Sequence, residues 1–176
     1  MTQLKELQPV TLAEFETMEK QEGWNYELID GVVMMSPRPA VGHQRIMGLL
    51  YMELFTALQS KNCEPFLEID LTLDGNHFVP DILIDCNNLE DTDKRSERPP
   101  IIIVEIVSPT STSRDYFTKR LKYEQLGIQE YWIVSPEDKC IMVISFATGT
   151  QEMYCTGTVQ SAIMPELKIN LNKIFK

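Results

Sequence analysis

The chain is short of the features that most often staple or anchor a protein. Its four cysteines, Cys63, Cys86, Cys140 and Cys155, lie far apart. They form no Cys-x-x-Cys pair and have no histidine-rich partner segment, which excludes the usual zinc patterns and predicts reduced thiols. No apolar run approaches the ~20 residues needed to span a bilayer. The first twenty residues, MTQLKELQPVTLAEFETMEK, are too acidic and polar for a signal peptide. A cytoplasmic protein with no membrane partner is expected. Glycine and proline are sparse, 8 and 10 residues, which rules out a low-complexity or fibrous chain. Positive charge is scarce too: 16 Lys and Arg against 26 Asp and Glu give a net charge of −10. That deficit counts against broad, backbone-tracking DNA binding, which needs cations to neutralise phosphates. Part of the acid is local, however. Residues 1–30 hold Glu6, Glu14, Glu16, Glu19, Glu22, Glu27 and Asp30 against Lys5 and Lys20.

What is present is an ordinary apolar complement, 43% of 176 residues. That length suits one domain over residues 1–176, burying roughly 70% of its unfolded surface without staples. Thr11 to Lys20 predicts a short helix, with Thr11 and Glu14 as a capping box and Leu12, Phe15 and Met18 on one side. Asn25 to Met35 alternates around Asp30-Gly31, a dipeptide suited to a two-residue hairpin turn between strands at 25–29 and 32–35. Gln44 to Gln59 carries Met47, Leu50, Leu54 and Leu58 at helical steps. Two strands follow, Leu67 to Leu73 and Phe78 to Asp85, around Asp74-Gly75-Asn76; the polar stretch from Asn87 to Pro100 reads as a loop. Ile101 to Val107 is continuously apolar except for Glu105, as in a central strand buried on both faces. A helix from Arg114 to Leu126, closed by Gly127, comes next. Strands at 130–134 and 140–146, an extra strand and a short C-terminal helix complete the order.

The carboxylate inside the 101–107 run is expensive unless a cation or donors compensate it. Asp81 has the same difficulty at the head of Ile82-Leu83-Ile84. Two carboxylates on neighbouring strand ends make a hard-oxygen site suited to Mg²⁺. Phosphodiester hydrolysis uses such an ion together with a cation that stabilises transition-state charge. The strand position two after Glu105 is Val107, so a lysine must come from elsewhere, and Lys119 and Lys122 on the next helix are nearest in sequence. On a helical wheel Asp115, Lys119, Lys122 and Leu126 share one face, with Tyr123 beside them, while Phe117 and Leu121 take the other. If Phe117 and Leu121 alone face the core, Lys119 points into solvent and only aids solubility.

Tyr26-Glu27-Leu28-Ile29-Asp30-Gly31, His43, Val79-Pro80-Asp81, Val104 to Thr110, Asp115 with Lys119 and Tyr123, and Gly127 to Trp132 together resemble one family. It is the bacterial putative restriction endonuclease family, formerly a domain of unknown function, of the PD-(D/E)XK nuclease superfamily. The resemblance covers nearly the whole chain. It implies an α/β, restriction-endonuclease-like fold: a mixed central β-sheet flanked by α-helices, with an N-terminal β-hairpin. It also implies Asp81 and Glu105 as metal ligands, Glu27 as the third acidic residue, Lys119 in place of the strand lysine, Mg²⁺ or Mn²⁺ as cofactor, DNA as substrate, and a homodimer.

Other residues have more than one reading. His43, beside Arg38 and Arg45, could contact a phosphate, orient Glu27 or serve a structural role. Asp115 could pair with Lys119 at i, i+4. Tyr123 could touch substrate or simply pack, and Arg114, Lys119, Arg120 and Lys122 could form a basic rim. The leading function is a Mg²⁺-dependent endonuclease on DNA. The alternatives are a catalytically inactive nuclease scaffold used for binding or dimerisation, and a metal-dependent phosphohydrolase acting on small nucleotides.

Overall fold

Asp30 and Gly31 both take positive φ, 50° and 75°, and turn the chain between β1 (Trp24–Ile29) and β2 (Val32–Pro37) in the expected hairpin. A computed structural model describes residues 8–87, 89–107 and 115–175, without the side chains at 115 and 116. Ahead of the hairpin, α1 (Leu12–Thr17) carries the predicted capping box: Thr11 and Glu14 bond each other's backbone N–H. Phe15 of α1 packs with Tyr26 and Leu28 on the outer face of β1.

The next hairpin is long and bent, and the bend decides the architecture. The two uninterrupted strands expected at 67–73 and 78–85 are each broken. The first is broken where Glu68 adopts φ 47°, and the second across Val79-Pro80-Asp81, where proline offers no ladder N–H. The inner half, β4 (Asp70–Leu73) with β5 (Asn76–Phe78), pairs with β1. The outer half, β3 (Glu64–Leu67) with β6 (Ile82–Asp85), joins a different sheet. Glu68 N–H donates to Asp81 C=O at 3.1 Å across the bend, so Asp81 stands at the corner between the sheets.

One flanked central sheet was therefore expected, and two mixed sheets are found. The larger has the order β11-β10-β9-β8-β6-β3, with β8 (Ile102–Ile106), β9 (Glu130–Ser135), β10 (Cys140–Ser145) and β11 (Thr150–Tyr154). Its β8–β9 pair is parallel and the rest antiparallel. The smaller has the order β2-β1-β5-β4-β7, where β7 is only Arg95–Ser96, inside the segment expected to be loop. A two-stranded piece, β12 (Thr158–Gln160) and β13 (Lys168–Asn170), precedes the four-residue α4 (Leu171–Ile174).

Period-2 alternation gives the large sheet two apolar faces. Ile102, Val104 and Ile106 pack with Leu50 and Leu54 of α2 (Val41–Leu58). Ile103 and Ile133 pack on the other side with Leu71 and Phe78 of the small sheet. Glu27 and Ile29 share the inner face of β1, and Glu105 shares that of Ile103, so both carboxylates point between the sheets.

The reduced thiols expected from sequence are not observed. Cys63 is bonded to Cys86 and Cys140 to Cys155. The registers Glu64↔Asp85 and Ile141↔Tyr154 place each pair directly opposite across two antiparallel strands, a proximity that sequence spacing could not reveal. The argument for a reducing compartment from unpaired cysteines thereby lapses. No helix among the described residues is long and apolar enough to cross a membrane.

Candidate functional site

Lys119 organises the space between the sheets. It closes a π-helical turn, Asp115–Lys119, that runs into α3 (Arg120–Gln125). The sequence left open which face of this segment is buried, and the structure shows the Lys119 and Tyr123 side turned inward. Phe117 and Leu121 are 72% and 59% exposed, whereas Lys119 is 4% exposed and Tyr123 fully buried. The Lys119 ammonium lies 2.9 Å from Glu27 Oε1 and 2.8 Å from Glu105 Oε1. Tyr123 donates its hydroxyl to that Glu105 oxygen at 2.8 Å. Burial first, and then the Glu105 charge, hold the Tyr123 phenol well above its ordinary pKa, so it remains a donor at neutral pH. Glu27 Oε1 also accepts the Val79 N–H at 3.0 Å, fixing β1 to the broken strand that leads to Asp81.

Asp81 approaches from the corner. Its Oδ2 accepts the Ile106 N–H at 2.6 Å, one residue beyond Glu105, and lies 3.2 Å from His43 Nε2. His43 Nε2 also contacts the Ile106 carbonyl at 3.0 Å, so this imidazole positions Asp81 and not Glu27. Burial lowers the His43 pKa, but the hydrogen bond and charge of Asp81 and the Ile106 carbonyl outweigh it and raise the pKa overall.

Lys122 is drawn away from the acids, to Asp30 in the hairpin turn. Spacing could not separate it from Lys119; the partner does. The Asp115 side chain and Arg114 lie outside the described residues, and Arg38 and Arg45 are exposed. Reasoning from sequence also passed over Glu130, a fully buried carboxylate at the head of β9. It accepts from Trp132 Nε1 at 2.6 Å, Ala162 N–H at 2.8 Å and Ile163 N–H at 3.2 Å, all neutral donors. The signal was available: Glu130 heads an apolar run much as Asp81 does.

Three carboxylates against one lysine leave the Glu27, Asp81, Glu105 and Lys119 cluster net negative. Asp81 Oδ1 has no hydrogen-bond partner among the described residues, and the side chain is 14% exposed. The donor set is hard oxygen, which fits a magnesium-type ion. Among the described residues, no three His, Cys, Asp or Glu side chains are gathered closely enough to hold a metal as they stand.

The family model described as Uma2, putative restriction endonuclease, matches residues 12–171. The chain belongs to this family. Among solved structures it is similar to a putative nuclease belonging to DUF820 from Anabaena variabilis, with TM-score 0.79 and 21% identity over 95% of this chain and 98% of that one. That likeness carries the fold. No curated protein matches the chain. For a Uma2 member the buried Lys119 is the informative element, since it comes from the helix after β8 and not from β8 itself.

Proposed function

We propose that the chain is a Mg²⁺- or Mn²⁺-dependent endonuclease of DNA whose centre is Asp81, Glu105, Glu27 and Lys119. The observation that carries this is the burial of Lys119 between Glu27 and Glu105, beside the Asp81 that is tied to the neighbouring backbone. A lysine loses rotamer freedom and hydration there, a cost that simple solubility does not require. Asp81 and Glu105 would hold the ion, with Glu27 as third acid. When bound, it would polarise a phosphoryl oxygen and lower the pKa of water. Lys119 supplies the positive charge that stabilises the extra negative charge of the pentavalent transition state. Tyr123 and the Val79 N–H hold Glu105 and Glu27 in place, and His43 holds Asp81.

Plasmid DNA incubated with Mg²⁺ or Mn²⁺ tests the reading. Wild type nicks or linearises it, while Asp81→Ala, Glu105→Ala and Lys119→Ala lose the activity by at least about a hundredfold. Equal cleavage by all four proteins would defeat it. The neutralisation of Lys119 by two carboxylates favours a second reading, an inactive scaffold whose ion pairs only brace the two sheets. Calorimetric titration separates the two: metal uptake by wild type and not by Asp81→Ala supports the enzyme.

A further inference from the structure

A cavity of 390 Å³ opens where the carboxyl ends of β8 and β9 meet the start of α2. Ile46, Leu49, Val107 and Phe175 give it an apolar floor, and the exposed Arg45 and Lys139 stand at its edge. Among the described residues neither cation makes an ion pair, and Glu137 is the one acidic residue that lines the cavity. In a chain of net charge −10 this is an unusual surface. The larger cavity of 620 Å³ near β7 differs in kind. Its four Lys and Arg are matched by Glu16, Asp70, Asp93 and Glu97, and Arg95 is already bonded to two of them.

Two details join the smaller cavity to the acidic cluster. The His43 ring that lines it also contacts Asp81 Oδ2 at 3.2 Å. Val107, in its floor, directly follows the Ile106 whose N–H holds Asp81. Lys139 adopts φ 53° in the β9–β10 turn, a conformation glycine or asparagine takes at lower cost, so a long cationic side chain is kept there against local preference.

We infer that this cavity receives one unstacked nucleotide of the substrate strand, with its base against Phe175 and the apolar floor and its phosphate on Arg45 and Lys139. The inference rests on the nuclease reading for what happens next along the strand, where the following phosphodiester reaches Asp81. An apolar floor with an aromatic and a cationic edge is the chemistry that binds single strands. A base seated in a cavity has left its stack, so the substrate class is single-stranded or locally unpaired DNA.

Anisotropy of a fluorescein-labelled short deoxyoligonucleotide, single-stranded or duplex, in EDTA with the full chain, tests this apart from catalysis. Gly42 lines the cavity and a Cβ there meets nothing within 4 Å, so Gly42→Phe adds bulk at the cavity wall without adding charge. Gly48→Phe, also in open space but outside the cavity, is the control. Arg45→Glu with Lys139→Glu reverses the edge, and thermal melting checks that each variant folds. Wild type is expected to bind the single strand more tightly than the duplex. Gly42→Phe and the double variant should lose about tenfold or more in affinity, and Gly48→Phe none. Turnover of bis(para-nitrophenyl) phosphate with Mn²⁺ should be unchanged in Gly48→Phe, which lies outside the cavity. Unchanged affinity in Gly42→Phe, tighter duplex binding, or no oligonucleotide bound by wild type would each overturn the inference. If Asp81→Ala hydrolyses the small diester as wild type does, the nuclease reading fails instead, and a loss of binding in Gly42→Phe still upholds the nucleotide cavity.

Discussion

Replacing Lys119 by methionine isolates the energetic role of the buried cation. Methionine keeps most of the side-chain volume and removes the charge, leaving Glu27 and Glu105 facing each other at 12% and 7% side-chain exposure. Breaking a buried ion pair by removing one partner costs 3–5 kcal/mol, roughly, because the other charge stays behind. Glu27 keeps the Val79 N–H and Glu105 keeps the Tyr123 hydroxyl, so the lower end, about 3 kcal/mol, is expected. For a chain of this size that lowers Tm by roughly 10 °C. The assay is thermal unfolding of wild type, Lys119→Met, Glu105→Gln and the double variant in EDTA. The cycle should return a coupling energy of at least about 1 kcal/mol, since the double variant removes a negative charge together with its cation. Mg²⁺ should stabilise Lys119→Met more than wild type, since the variant cluster is more negative. A Lys119→Met protein melting within about 2 °C of wild type, or a coupling energy near zero, would refute the claim that the lysine is held by these acids.

The pKa of His43 is raised on folding, so its contribution to stability is complete below the unfolded value, near 6.5, and is lost as pH rises through the folded value. His43→Gln should therefore cost more stability in urea titrations at acidic than at alkaline pH, and a pH-independent difference would contradict the Asp81 contact. Glu130→Leu strands the Trp132 indole and two backbone N–H groups and should cost about 3 kcal/mol or more, whereas Glu130→Gln, which keeps an acceptor, should cost less; denaturant midpoints decide between them. The two disulfides span 23 and 15 residues, so a reductant should lower stability by about 3 kcal/mol for each bond opened. Mass spectrometry of alkylated protein counts the thiols, and four free thiols without reductant would show that the pairs do not form.

The local elements were legible because their signals are local: the Thr11–Glu14 box, the Asp30-Gly31 turn and the α2 stripe each lie within one helix or one turn. The second sheet was not, because it depends on two small breaks. Glu68 at φ 47° has no unambiguous sequence mark, and Pro80 reads equally as a strand edge or a corner. Only their meeting, through the Glu68 to Asp81 bond, reveals the bend. The disulfides were missed for the same reason, as cross-strand register is not a property of spacing. The site poses a sharper problem. The rule that found Glu105, that a carboxylate in an apolar strand needs compensation, applies with equal force to Glu130 three strand-register steps away in the neighbouring β9, where Ile102 pairs with Glu130 and Glu105 with Ile133. The rule therefore detects compensation and says nothing of its kind. Glu130 is satisfied by an indole and backbone amides, with no cation among its donors in the described residues, and so serves the fold. Glu105 shares a lysine with a second carboxylate, next to a third that is partly exposed and has one oxygen unbonded among the described residues. It is this mixture of cation, surplus acid and access that separates a place for chemistry from a place for structure. None of its three parts is visible until Glu27, Asp81 and Lys119, which are distant in sequence, are brought to one corner.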